Sequence, residues 1–100
     1  MPGSARSVSF HPAARTELFS ATDWYLERSL TAATEFSAEI DHAVVRIQEA
    51  PERYPETRFG RRRFVLLKFP FDIVYRIVNE HVEIIAVAHH SRRPGYWRAR

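Results

Sequence analysis

Between Ala88 and Arg100 the chain sets two imidazoles, His89 and His90, beside the guanidiniums of Arg92, Arg93, Arg98 and Arg100 and the rings of Tyr96 and Trp97. Guanidinium groups grip phosphates and carboxylates, imidazole moves protons near neutral pH, and aromatic rings stack on bases or pack on apolar surface. The segment can thus bind a polyanion or serve as a structural tail, and packing is the commoner fate of Tyr and Trp. His89 and His90 are neighbours, so in a strand they face opposite sides and do not chelate one ion together. The three glycines form no phosphate-cradling loop, no Ser/His/Asp arrangement stands out, and the lack of cysteine removes disulfides, thiolate zinc sites and a thiol nucleophile. Neither a cofactor nor a metal is expected.

Charge is distributed unevenly around this segment. The net +3 combines four Arg against seven acidic residues up to Ala50, a charge of −3, with eleven basic against five acidic residues after it, a charge of +6. A basic half attracts polyanions or an acidic protein partner. Of fifteen basic residues only Lys68 is not Arg, a preference that suits bidentate contacts but that a GC-rich genome also produces.

One hundred residues, 45% of them hydrophobic, predict a single domain over residues 1–100 with its own core and a short flexible N-terminus at about residues 1–6. The N-terminus has no apolar stretch of the secretory type and no run is long enough to span a bilayer, so a soluble cytoplasmic protein is expected. Ser7–Phe10 alternates like a short edge strand, and His11-Pro12 opens a helix extending to about Arg28. Ser29 and Thr31 can cap a second helix, whose Phe36, Ile40, Val44 and Ile47 form one apolar stripe as far as Ala50, where Pro51 and Pro55 break it. Three runs rich in β-branched and aromatic residues follow, Arg62–Phe69, Asp72–Val78 and Val82–His90. The breaks between them are short enough for antiparallel hairpins. The predicted class is α+β: a strand, a two-helix hairpin, then three antiparallel strands, with both helices on one face and the other free for binding.

Alternation assigns the faces. Val65, Leu67 and Phe69 form one core set, Ile73, Tyr75 and Ile77 another, and Val82, Ile84, Ala86 and Ala88 a third. A two-residue turn at Asn79-Glu80 pairs Arg76 with Glu83 across the hairpin. On this reading Arg62, Lys68, Arg76 and His89 converge on the helix-free face.

The tail pattern Ala88-His89-x-x-Arg92-x-Pro94-x-Tyr96-Trp97 resembles the C-terminus of the RelE/ParE toxin superfamily, whose members include plasmid stabilisation proteins. Phe69-Pro70-Phe71-Asp72-Ile73-Val74-Tyr75-Arg76 is similar to the family's central strand, Val82–Val87 to the strand after it, and Trp24-Tyr25, Phe36 and Pro51 fall where such toxins place aromatics and a helix-ending proline. The resemblance covers nearly the whole chain. It implies the α+β fold described above and the toxin half of a type II toxin–antitoxin module, neutralised by a cognate antitoxin.

Two activities are compatible with the resemblance, and a fold does not choose between them. RelE-like members are ribosome-dependent mRNA endoribonucleases; here Arg62, Lys68, Arg76 and Arg92 would hold phosphate, His89 or His90 would transfer a proton, and Tyr96 would stack on a base. The paired lysines of that branch are missing, which puts a transfer of catalytic residues in doubt. ParE-like members inhibit DNA gyrase and imply no hydrolytic chemistry. The His-x-x-Arg-x-Pro arrangement is closer to this branch, with His89, Arg92, Arg93, Tyr96 and Trp97 at the partner-binding surface. In either case an acidic antitoxin segment is expected over Arg62, Lys68, Arg76 and Arg92. A third alternative is a non-toxic module that only binds RNA or protein.

Overall fold

The computed structural model describes residues 5–100. Strand β1 (Ser7–Phe10) leads into helix α1 (Pro12–Leu26) and helix α2 (Leu30–Glu49). A single 3-10 turn at Pro51–Arg53 then precedes strands β2 (Arg62–Val65), β3 (Phe71–Val78) and β4 (His81–His89). The sheet order is β1-β4-β3-β2, with β1 parallel to β4 and the other pairs antiparallel. Residues 1–4 of the N-terminal segment expected to be flexible lie outside the described residues; Arg6 is tied down, its backbone bonded to Gln48 and its guanidinium reaching Glu52 at 3.3 Å.

Local chemistry sets the element ends. The His11 side chain accepts from the Ala13 N–H and Pro12 occupies the first turn of α1, where its missing donor costs nothing. Ser29 caps α2 by accepting from the Ala32 N–H. The β3–β4 hairpin turns at Asn79, whose φ of 59° is a left-handed conformation that Asn tolerates, and the expected Arg76–Glu83 pair forms across it at 2.7 Å. Beneath both helices Phe36, Ile40 and Ile47 pack on Phe71, Ile73, Tyr75, Val82 and Ile84.

Two strand phases differ from the alternation reading. On β2, Phe64 and Leu66 point to the helices, Val65 is half exposed on the other face and Leu67 is 93% exposed. Residues 64–67 are all apolar, so alternation alone could not choose the phase; Phe64 settles it by packing edge-on to Tyr54 at 4.8 Å. The strand also stops at Val65 rather than Phe69, because the Glu39 carboxylate takes the N–H groups of Leu67 and Lys68. On β4, Tyr75 pairs with Ile84 but Val74 with Ala86, which leaves Ile85 as a bulge. An inserted residue reverses every later side chain. Val87 therefore joins the helix-side core, and Ile85, Ala86 and Ala88 lie with Val74 on the opposite face.

The 3-10 turn is fixed from below by Tyr75, which is fully buried and whose hydroxyl donates to the Pro51 carbonyl at 2.6 Å. Tyr75→Phe leaves that carbonyl without its partner. We expect a loss of about 1–3 kcal/mol in urea unfolding with an unchanged slope; an unaltered midpoint would show that the bond contributes nothing.

Candidate functional site

The helix-free face is partly closed by the C-terminal tail. Hydrogen bonds from Arg92 to His89, Tyr96 to Arg93, Arg98 to Gly95 and Arg100 to Trp97 wind residues 89–100 into successive turns. Trp97, 5% exposed, covers Val74, Ile85, Ala86 and Ala88 and meets Phe59 edge-on, with ring centroids 5.8 Å apart. Gly95 has φ of 78° and lies so close to Phe59 that a Cβ would come within 2.5 Å of the ring, so both its backbone conformation and its contact demand glycine. The bulge thus supplies an apolar platform and the tail seals it.

One carboxylate fastens this tail. Glu17, in the middle of α1, accepts from the Tyr96 hydroxyl at 2.7 Å and from both terminal nitrogens of Arg100 at 2.9 and 3.0 Å. It also accepts from the Val87 backbone N–H at 3.0 Å, while Arg100 donates to the Ile85 carbonyl at 3.0 Å. β1 ends opposite Ile84, so Val87 and Ile85 have no neighbouring strand on that side and these side chains satisfy their backbone groups. The Arg92 guanidinium lies 3.9 Å from the centre of the Tyr96 ring and Arg100 lies 5.2 Å from it.

Beside the sealed patch a cleft of about 630 Å³ runs between residues 56–59, β2–β3 and the tail. Val65, Val74 and Ala88 form its apolar floor, and Arg58, Arg63, His90 and Arg93 stand around it. Asp72 accepts from His90 Nε2 at 2.9 Å and pairs with Arg63 at 3.6 Å.

The sequence-derived residues separate into two groups. Arg92, Arg93, Tyr96 and Trp97 line the cleft together, and His89 only borders it. Arg62, Lys68 and Arg76 do not join them. Arg62 donates to the carbonyls of Glu52 and Tyr54, at 3.1 and 2.6 Å, as a clamp on the chain before β2. Lys68 lies in the turn beside Glu39 of α2, and Arg76 is held by Glu83 at the other end of β3. His89 is turned by the bulge toward the helix side, where its ring meets Phe71 at 5.0 Å and its Nδ1 accepts from the Ser91 N–H. The expected cluster of Arg62, Lys68, Arg76 and His89 therefore does not form. Sequence reasoning missed Glu17, Arg58, Phe59, Arg63 and Asp72. Only the β2–β3 register, which puts Arg63 beside Val74, brings Arg63 to Asp72. Among the described residues no helix is long and apolar enough to cross a membrane.

Comparison with known proteins agrees with this architecture. A family model described as the ParE toxin of the type II toxin–antitoxin system parDE matches residues 8–94. The solved structure described as the chromosomal ParDE toxin–antitoxin system from P. aeruginosa superposes with a TM-score of 0.73 at 19% identity, over 85% of this chain and 96% of that one, a likeness of fold. No curated relative matches the sequence.

Burial of Tyr75 pushes its phenol up to about 12, against a smaller lowering by Arg62. Tyr96 is pushed up further, first by burial and then by its hydrogen bond to Glu17. An unfolded tyrosine ionises near 10.0, so between pH 10 and about 12 the unfolded chain releases protons that the folded chain keeps. These two groups leave stability intact below pH 10 and remove it above. Of the four tyrosines, two should give their tyrosinate absorbance only as circular dichroism reports unfolding; all four titrating together near pH 10 in a folded chain would contradict this.

Proposed function

The chain belongs to the ParE toxin family of type II toxin–antitoxin systems, and on that premise we propose that it arrests growth by binding DNA gyrase in the cytoplasm, without cutting RNA, and that a cognate antitoxin neutralises it. The observation that carries the choice between the two activities is the dispersal of Arg62, Lys68, Arg76 and His89; His90, which does reach the cleft, is held by Asp72 at 2.9 Å. An acid–base mechanism needs its proton donor and phosphate ligands within reach of one phosphodiester. Arg62 is engaged by backbone carbonyls, Arg76 by Glu83, and Lys68 lies against α2. His89 meets Phe71 edge-on, and the Tyr96 ring lies beneath Arg92 with its hydroxyl on Glu17. This arrangement supports a face that acts by contact.

Induced expression in bacteria, with mRNA 5′ ends mapped and DNA breaks and filamentation scored in the same cultures, tests the reading. The expected outcome is growth arrest with DNA damage and intact mRNA. New mRNA ends at ribosomal A-site codons would establish the endoribonuclease instead, and unaffected growth would point to a non-toxic binding module.

A further inference from the structure

We infer that the cup between α1, the start of β3 and the end of β4, walled by Trp24, Tyr25 and Phe71, is a binding site for a small aromatic carboxylate. It shares only His89 and Arg92, at its rim, with the cleft described above. A ligand there is independent of what the toxin itself binds.

Shape comes first. Thr16, Ser20 and Trp24 follow one another at spacings of four on α1 and share one face. A helical side chain leans over the turn before it, which lays the indole toward Ser20. The Arg28 guanidinium covers the Trp24 ring at 3.7 Å and Tyr25 meets it edge-on at 5.1 Å, so the ring is held in place. Trp24 nevertheless keeps 52% of its surface in water, although tryptophan is on average well buried. Phe71 and Val87 close the floor, and the space enclosed is about 530 Å³. That lies within the range of about 300–1,000 Å³ typical of small-molecule sites.

The rim selects the charge. His89 Nδ1 accepts from the Ser91 N–H at 3.0 Å, so the neutral ring carries its proton on Nε2, and among the described residues that nitrogen meets no acceptor. The Arg92 guanidinium reaches the Glu17 carboxylate only at 3.9 Å. That carboxylate is already taken up by Tyr96, Arg100 and the Val87 N–H, so the forked donors of Arg92 remain available. A ligand carboxylate at the rim accepts from both residues while its ring packs on those of Trp24, Tyr25 and Phe71, where edge-on and offset contacts are favourable. A cation would meet Arg28 at one end and Arg92 at the other, and an uncharged ring would leave the rim donors to water.

The test titrates the isotope-labelled full-length chain with naphthoate, naphthamide and acetate, followed by NMR, whose spectra also report that each variant is folded. We expect saturable naphthoate shifts at the Trp24 indole N–H and at the Val87, His89 and Arg92 amides. Naphthamide keeps the ring and loses the charge, and acetate keeps the charge and loses the ring; each should bind about tenfold or more weakly. Arg92→Gln should weaken naphthoate by a similar factor and leave naphthamide unchanged. Arg93→Gln, which removes the same charge at the neighbouring cleft, should leave both unchanged. Equal affinity of naphthoate and naphthamide for the parent chain would overturn the carboxylate assignment, and equal weakening of naphthoate by the two variants would reduce the effect to net charge. Shifts scattered over the surface, or none that saturate, would remove the site.

Discussion

Because β1 ends at Phe10 and the chain turns directly into α1, the C-terminal half of β4 lacks a strand on one side. Backbone groups on a covered sheet edge must find partners or cost free energy. The Glu17 carboxylate takes the Val87 N–H, and Arg100, held by that same carboxylate, supplies the Ile85 carbonyl. Glu17 and Arg100 are each largely shielded from water, so their attraction is screened far less than that of a surface pair. One side chain thereby joins a helix, a strand edge and the end of the chain.

The bulge at Ile85 decides what that tail covers. Without it Ala86 and Ala88 would face the helices and Val87 and His89 the open side. With it the open side receives Ile85, Ala86 and Ala88, an apolar patch that Trp97 closes. The cost of an interrupted ladder is local, and the consequence is that part of a face otherwise available for binding becomes a second small core. What remains open is the cleft beside it, with an aliphatic floor and arginines at its mouth.

The element order, the cap of the second helix, the Arg76–Glu83 pair and the type of fold were legible in the sequence because each rests on short-range pattern: helical spacing at Phe36, Ile40 and Ile47, a capping serine at Ser29, a two-residue turn at Asn79-Glu80. The failures arose where pattern is degenerate or long-range. Four consecutive apolar residues at 64–67 permit either phase of β2, and a bulge within the apolar run Ile84–Ala88 leaves no mark on composition. Residues of the candidate site on the tail were recognisable from their types. Glu17 was not, since nothing local distinguishes it from the other acids on the helices and its partner Arg100 is 83 residues away.

Glu17 fastens the tail and so shapes the helix-free face. Hydrogen–deuterium exchange of Glu17→Ala against the parent chain tests it directly. Fast exchange should be confined to the Val87 amide and to residues 92–100, while the amides of α2 and β3 keep their protection. A tail whose protection is unchanged would mean that Trp97 alone holds it and that Glu17 is incidental.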